Sequence, residues 1–323
     1  MVAAQRRAGS REKFKSGTNA MLRLLGSFLL VIALSACVAP ADQNRALART
    51  NEVRQMTVDG RVRDYCLYVP NSYRPGNPVL FHFHGGGGSC QVDYLIGERW
   101  ERKADAMGFL LVRPSAWNKV WNACSVPPER CRYPIADAEK ANVNDLAFFN
   151  ALYHQIEADF GPGKTYVGGH SMGGMAVYLI TCHRSDIIDA AYGVGTTFRP
   201  QSCPGGPIPF LHIHGVSDNV VPWPDGGAPG PFPPEYPWPS PLRGIETRAA
   251  LNGCASEVVR RQENAAATSF TFRNCAADTQ YWVVDDCKHG WPGQVPVLLL
   301  GLWVSCTGVF NGEDVLWSFL QRH

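Results

Sequence analysis

A serine flanked by glycines is the first residue whose surroundings suggest chemistry. The segment Val167–Gly174 reads VGGHSMGG and contains a GxSxG pattern centred on Ser171. It joins an apolar stretch that predicts a strand to a stretch of small and apolar residues, 172–182, that predicts a helix. Glycines two residues on either side leave room for a sharp strand-to-helix turn, which presents a serine hydroxyl for attack on a carbonyl carbon. Ser171 is therefore the candidate nucleophile.

A serine hydroxyl needs a base that removes its proton, and the base is expected late in the chain. Where this turn carries a nucleophile, the order along the chain is Ser, then Asp or Glu, then His. Of the nine histidines, only His289 and His323 come late enough, and His323 is the last residue, where chains fray. The sequence therefore predicts His289 as the base, in a loop just past a predicted strand over 280–284.

The acid that orients the base is expected at the end of another strand. Asp218 follows the apolar run FLHI at 210–213, in a turn that reads HGVSD. Asp225 is the second choice, because it falls within a proline-rich stretch. Asp285 and Asp286 are too close in sequence to His289 to orient it from a separate loop. Asp218 is thus the predicted acid, which stabilises the imidazolium.

Two backbone amides are expected to hold the oxyanion of a tetrahedral intermediate. The residue after the nucleophile, Met172, supplies the first. The second is expected in the loop after a predicted strand over 79–83, where the sequence reads HGGGG at 84–88. Gly86 is the candidate, because glycine backbone lets a substrate approach closely. A phosphate loop is the alternative for this glycine run, but the lysine of such loops is missing.

The proline-rich segment Pro222–Pro241 begins close to Asp218, so its root is expected beside the mouth of the site. The predicted substrate contacts nearest to the triad are His170, Trp223 and Trp291. Further aromatic residues of the segment either extend an apolar shelf for substrate or pack against one another; they are Phe232, Tyr236 and Trp238.

Strands and helices alternate along the chain, which predicts an α/β fold class: a mostly parallel central sheet with helices on both faces. The predicted strands are 53–58, 62–69, 79–83, 109–112, 164–167, 190–194, 208–213 and 280–284. The predicted helices are 143–160, 172–182, 243–252 and 313–321. Ligands bind at the carboxyl ends of strands in such sheets, where the three candidate triad residues lie.

The N-terminus carries an export signal. Arg23 precedes an apolar run, 24–34, that is short for a membrane span and ends in LSAC. We expect residues 1–36 to be a signal peptide, with Met21 as an alternative start, and Cys37 to be lipidated. This predicts a bacterial membrane-anchored lipoprotein, with plain secretion or a periplasmic location as the alternative. A linker over 37–51 and a catalytic domain over 52–323 complete the predicted organisation.

Ten of the eleven cysteines follow Cys37, and an even, high count in an exported chain predicts disulfides. Local spacing favours the pairs Cys124–Cys131 and Cys254–Cys275 and leaves the other pairings open. A metal site is disfavoured, because no CxxC pair occurs. The net charge of +2 gives no reason to expect a nucleic-acid partner.

Five motifs together resemble one enzyme group. They are HGGGGSC at 84–90, GHSMGG at 169–174, HGVSDNVVPW at 214–223, NGC at 252–254 and KHGWPG at 288–293. In order and spacing they are similar to the polyhydroxybutyrate depolymerase and feruloyl esterase group of exported α/β-hydrolases, which includes lipoproteins.

The resemblance implies an α/β-hydrolase fold and ester hydrolysis through an acyl-enzyme on Ser171, without a cofactor. A feruloyl or aryl ester, an acetylated sugar or a short hydroxyalkanoate ester is the expected substrate, as a small molecule or a polymer. Acyl transfer to an alcohol, and a non-catalytic surface protein that binds a polymer, are the alternatives.

Overall fold

Strands that are apolar on both faces form the centre of the protein. In the computed structural model, which describes residues 50–93, 96–227, 237–299, 302–307 and 310–323, every residue of the strands Val79–Phe83 and Leu110–Pro114 is buried. Runs of this kind are typical of parallel strands covered on both faces. The described residues belong to one compact unit.

The strands, in chain order, are β1 (Thr50–Val58), β2 (Arg61–Val69), β3 (Val79–Phe83), β4 (Leu110–Pro114), β5 (Thr165–His170), β6 (Ala190–Val194), β7 (Phe210–Gly215), β8 (Val258–Asn264), β9 (Ala267–Phe272), β10 (Thr279–Val284), β11 (Gln294–Leu299) and β12 (Leu302–Cys306). The α-helices are α1 (Gly97–Met107), α2 (Asp137–Lys140), α3 (Asp145–Phe160), α4 (Met172–His183), α5 (Pro241–Leu251) and α6 (Gly312–Leu320).

Ten strands form one sheet in the order β1-β2-β4-β3-β5-β6-β7-β10-β9-β8. The six strands from β4 to β10 run parallel, and antiparallel pairs extend the sheet at both edges. Strands β11 and β12 form a separate hairpin. One apolar cluster fills one face of the sheet under α3 and α4, and a second fills the other face under α1 and α6. The predicted α/β class is confirmed.

Five elements escaped the sequence prediction: helices α1 and α2, strands β8 and β9, and the β11–β12 hairpin. Strand β8, VVRRQEN, is an edge strand and buries none of its residues, so it lacks the apolar pattern by which strands are recognised. The α1 segment, GERWERKADAM, is rich in charge and buries only Gly97, Trp100 and Ala104. Both elements are stabilised by packing against the rest of the fold, and neither has a strong local sequence pattern.

Five disulfides pair all ten cysteines that follow Cys37. They are Cys66–Cys90, Cys124–Cys131, Cys182–Cys203, Cys254–Cys275 and Cys287–Cys306. The two pairs predicted from local spacing are confirmed. Such a framework is characteristic of exported proteins.

The predicted signal peptide, Cys37 and nearly all of the linker lie outside the described residues. Within the part of the chain that the structure describes, no helix has the length and apolar character to span a bilayer.

Candidate active site

Ser171 lies on a sharp turn between β5 and α4, at the carboxyl end of a central strand. Its φ of 55° is in the left-handed region, which is strained for a residue with a side chain. A Cβ on Gly169 would lie 2.4 Å from the carbonyl carbon of Gly173, and one on Gly173 would lie 2.0 Å from the carbonyl oxygen of Phe83. The two glycines of the GxSxG pattern are therefore required for strand and helix to pack this closely.

Loops after three different strands bring Ser171, His289 and Asp218 together. The Oγ of Ser171 lies 2.9 Å from Nε2 of His289, and Nδ1 of His289 lies 2.8 Å from Oδ2 of Asp218. Asp218 follows β7 and His289 follows β10, and the parallel pairing of these strands sets their carboxyl ends side by side. Because a carboxylate only accepts, Nδ1 of His289 carries the proton, and Nε2 is free to accept one from the serine hydroxyl.

The carboxylate of Asp218 is buried but fully partnered. Its Oδ1 accepts hydrogen bonds from the backbone amides of Val220 (2.8 Å) and Val221 (2.7 Å), while its Oδ2 faces His289. Burial alone would raise the pKa of Asp218, yet the imidazoles of His289 and His214 and the amide of Val220 outweigh it and hold the pKa below its usual range. Asp218 is therefore an anion that can stabilise an imidazolium.

The glycine loop after β3 lies directly against the nucleophile. A Cβ on Gly85 would lie 3.3 Å from the Cβ of Ser171, and one on Gly86 would lie 2.9 Å from Sδ of Met172. Among the described residues, nothing accepts a hydrogen bond from the amide of Gly86 or from that of Met172. The structure thus places both predicted oxyanion donors beside Ser171, with their N–H groups uncommitted.

Buried side chains anchor this loop. The amide of Ala116 donates to Nε2 of His84 (3.0 Å), and the indole of Trp121 donates to the carbonyl oxygen of His84 (2.8 Å). Burial lowers the pKa of His84 to about 4, so the ring is neutral and able to accept at neutral pH. Gly87 donates to the carbonyl oxygen of Lys119 (2.9 Å), which ties the loop to the segment after β4.

Trp291, which the sequence predicts as a substrate contact, lies in the core. Its side chain is 0% exposed and packs within the aromatic cluster around Trp100 and Tyr192. The indole Nε1 donates to Oε1 of Glu313, at 3.0 Å, on the first turn of α6. Trp291 therefore supports the loop of His289 from behind.

The other two predicted substrate contacts also face inward. His170 is 3% exposed, with its ring centroid 4.9 Å from that of His289, and burial lowers its pKa to about 3. Trp223 is half-buried and packs on the rings of His214 and Tyr281, at 5.4 Å and 6.0 Å. His170 therefore packs against His289, and Trp223 packs against His214 behind Asp218.

The proline-rich segment lies partly within the described residues, at 222–227 and 237–241. Trp238 is 4% exposed and packs in a small core with Met175 and Val221. Phe232 and Tyr236 lie outside the described residues.

Of the alternative acids, Asp225 is exposed. The other two, Asp285 and Asp286, are exposed as well.

Three residues of the site escaped the sequence prediction. A Cβ on Gly195, at the end of β6, would lie 3.4 Å from Nδ1 of His289 and 3.5 Å from Oδ2 of Asp218. Thr196 donates through Oγ1 to the carbonyl oxygen of Ser171, at 2.8 Å. His214 packs behind Asp218, with Nε2 at 3.4 Å from Oδ2. Only His214 carried a usable signal, since it opens the HGVSD turn.

Residues that could hold a metal do not gather at the site. No group of three or more His, Cys, Asp or Glu side chains with that capacity occurs in the ranges that the structure covers.

Comparison with known proteins places the chain among esterases. No protein-family profile matches it. Feruloyl esterase C of Emericella nidulans is 28% identical over 233 residues, which are 65% of this chain and 76% of that protein. A probable feruloyl esterase C of Aspergillus oryzae is 31% identical over 51% of this chain, and the match spans 58% of the relative's length.

A solved structure shares the fold. The acetyl xylan esterase from Aspergillus awamori superposes with a TM-score of 0.53, at 12% identity, over 84% of this chain and 100% of that one. The chain is an esterase of the α/β-hydrolase fold. In this esterase the strand-to-helix turn, the acid loop after β7 and the histidine loop after β10 occupy the places at which that fold carries catalytic groups.

Proposed function

We propose that this esterase cleaves carboxylic esters through an acyl-enzyme formed on Ser171. The observation that carries the proposal is the unbroken hydrogen-bonded line Ser171–His289–Asp218, which begins on a strained turn beside two uncommitted amides. This geometry supports nucleophilic attack, because the acceptor nitrogen of His289 already faces the hydroxyl.

The reaction proceeds in two halves. His289 Nε2 takes the proton of Ser171 as Oγ attacks the ester carbonyl, and Asp218 stabilises the imidazolium that results. The amides of Gly86 and Met172 hold the oxyanion, aided by the N-terminus of α4. The imidazolium then protonates the departing alcohol. Water repeats the attack on the acyl-enzyme, His289 again acting as base, and the acid product leaves.

The proposed substrate is a feruloyl or aryl ester, an acetylated sugar or a short hydroxyalkanoate ester. The names of the feruloyl esterase C relatives and of the acetyl xylan esterase support this range. We assign catalysis to residues 52–323.

Cys37 is the proposed lipidation site that attaches the mature enzyme to a bacterial membrane. The five disulfides support an exported location for the part that carries the triad. Mass spectrometry of protein from a native host is expected to find lipid on Cys37 and no residues before it.

Ser171→Ala tests the nucleophile. We expect turnover of a p-nitrophenyl acetate substrate to fall by about four orders of magnitude or more, with the melting temperature unchanged. A fluorophosphonate probe should label the wild type once, at Ser171, and should not label the variant. The exposed Ser217, next to the triad acid, is the matched control, and Ser217→Ala should keep wild-type activity. Wild-type turnover by Ser171→Ala, or labelling elsewhere, would refute the proposal.

A further inference from the structure

A line of buried rings runs from helix α4 to the triad acid. The hydroxyl of Tyr178 lies 3.1 Å from Nδ1 of His212, and Nε2 of His212 lies 2.9 Å from Nδ1 of His214. Nε2 of His214 lies 2.8 Å from the carbonyl oxygen of Val221. All three rings are 0–1% exposed. Both histidines lie on β7 and, two residues apart, share one face of the strand.

The carbonyl at the end of this line determines where every proton lies. Because the oxygen of Val221 only accepts, Nε2 of His214 carries a hydrogen. Burial lowers the pKa of His214 and of His212, so both rings are neutral and each has one bare nitrogen. Nδ1 of His214 therefore accepts from Nε2–H of His212, and Nδ1 of His212 accepts the hydroxyl proton of Tyr178.

Both backbone groups of Val221 make hydrogen bonds next to the triad acid. Its amide donates to Oδ1 of Asp218 at 2.7 Å, and its carbonyl accepts from His214. The same Nε2–H of His214 faces Oδ2 of Asp218 at 3.4 Å, the oxygen that also receives Nδ1–H of His289. His214 thus touches both the carboxylate and the turn that carries it.

We propose that His214 is a positioning residue for the triad acid, held in its Nε2–H form by a one-directional hydrogen-bond chain that starts at the Tyr178 hydroxyl. The proposal rests on the proposed function, because positioning matters only if Asp218 serves His289. Without His214, the carbonyl of Val221 loses its donor in a buried turn, and Asp218 loses the backbone geometry that aims Oδ2 at His289.

Few other charged or titratable groups face this line. Near Tyr178 the charged neighbour is Arg248 of α5, which partly offsets the rise in the pKa of Tyr178 caused by burial. Around His214 the neighbours are His212, Asp218 and His289, with the ring of Trp223 at 5.4 Å. Around His289 they are Asp218, His170 and His214.

Long-range 1H–15N NMR spectra of histidine-labelled enzyme test the proton positions directly. We expect His212 and His214 to appear as neutral Nε2–H tautomers from pH 5 to 8. In Tyr178→Phe, His212 loses the donor at Nδ1, so its signals should shift and report a mixture of tautomers. An imidazolium or an Nδ1–H form of either ring in the wild type would overturn the proposal.

Kinetics test the consequence for catalysis. In His214→Phe we expect kcat to fall about tenfold with KM changed less than twofold, because the acid and not the substrate is displaced. The acidic limb of the kcat/KM profile should move to lower pH, since a misplaced Asp218 stabilises the imidazolium of His289 less. His214→Gln can still donate to Val221 and should recover most of kcat and return the limb toward its wild-type position.

A second buried histidine provides the matched control. His82 on β3 is 0% exposed, and its Nδ1 lies 2.7 Å from the hydroxyl of Tyr192, but it contacts no triad residue. His82→Phe should lower the melting temperature and leave the acidic limb in place. The same behaviour in His214→Phe, or no rescue by His214→Gln, would mean that His214 only stabilises the fold.

Two safeguards separate the possible failures. If His214→Phe does not fold, the kinetics of His214→Gln and the NMR spectra of the wild type still test the positioning role. Wild-type kinetics in His214→Gln together with Nε2–H tautomers support the proposal. Any other tautomer overturns it. Ser171→Ala is run in the same assay. Near wild-type activity in that variant would refute the proposed function, whereas activity lost there and unaffected by His214→Phe would refute only the positioning role.

Discussion

Replacing Trp291 by phenylalanine separates a buried support from a substrate contact. The indole is fully buried, and its Nε1 donates to the carboxylate of Glu313. That carboxylate is also paired with Arg99, at 2.7 Å. Phenylalanine keeps most of the apolar contact and removes the hydrogen bond and part of the ring volume.

The size of the effect follows from these two losses. A hydrogen bond to a charged group contributes about 1.5–3 kcal/mol. The cavity left by the smaller ring adds about 1 kcal/mol. Arg99 remains on Glu313, so the carboxylate is not left unpaired. We therefore expect the free energy of unfolding to fall by about 2–4 kcal/mol, which lowers the melting temperature by roughly 5–10 °C.

Trp317→Phe is the matched control. Trp317 is 4% exposed and stacks on Phe109, with ring centroids 4.0 Å apart. Its Nε1 has no hydrogen-bond partner within the described part of the chain. The control therefore loses ring volume only, about 1 kcal/mol, and the difference between the two variants isolates the hydrogen bond to Glu313.

The assay combines urea unfolding with kcat/KM for p-nitrophenyl acetate and for a bulky aryl ester. Because Trp291 is fully buried, the ratio of the two kcat/KM values should stay within about twofold of the wild type. A selective loss on the bulky ester, with unchanged stability, would show that the indole contacts the acyl group and would refute the reasoning.

Three further outcomes are expected. Gly173→Ala should abolish activity or folding, since its Cβ would meet the carbonyl oxygen of Phe83 at 2.0 Å, whereas Gly206→Ala has room and should be tolerated; an active Gly173→Ala would contradict this. Burial holds the pKa of His170 at about 3 and that of His84 at about 4, so the unfolded chain binds more protons than the folded chain below pH 6.5. As pH falls from 6.5 toward 5, each ring should therefore lower the free energy of unfolding by about 1.4 kcal/mol per pH unit. Urea unfolding at pH 7, 6 and 5 measures this, and an unchanged free energy of unfolding would argue against neutral buried rings. Thiol labelling under denaturing, non-reducing conditions should find at most one free cysteine, Cys37, and two or more would contradict the five disulfides.

The order of chemical groups along the chain was sufficient to select the three residues that the structure joins in one hydrogen-bonded line, Ser171, His289 and Asp218. Ser171 needs glycines on either side of its turn, and only one internal histidine follows it at the required distance. Asp218 stands directly after an apolar strand. These constraints can be read from the sequence. A strand end and a tight turn are visible in neighbouring residues, and the chain order is visible along the chain. The same holds for Cys124–Cys131, whose partners are close in the chain.

The direction in which loop side chains point was decided only by tertiary structure. Trp291 follows His289 closely, so the sequence placed it at the mouth. Gly290, however, packs so tightly on β12 that a Cβ there would lie 2.7 Å from the carbonyl carbon of Ser305. The loop is therefore pressed onto a hairpin that no sequence pattern predicted, and Trp291 turns into the core.

The support behind the acid also arises from the assembled fold. His212 and His214 alternate along β7 as ordinary strand residues, and nothing in their spacing reveals that Tyr178 of α4 meets them. That contact depends on how a helix crosses the sheet, which is set by packing over the whole core. Local sequence thus determines which residues can react, and only long-range packing determines which residues hold them in place.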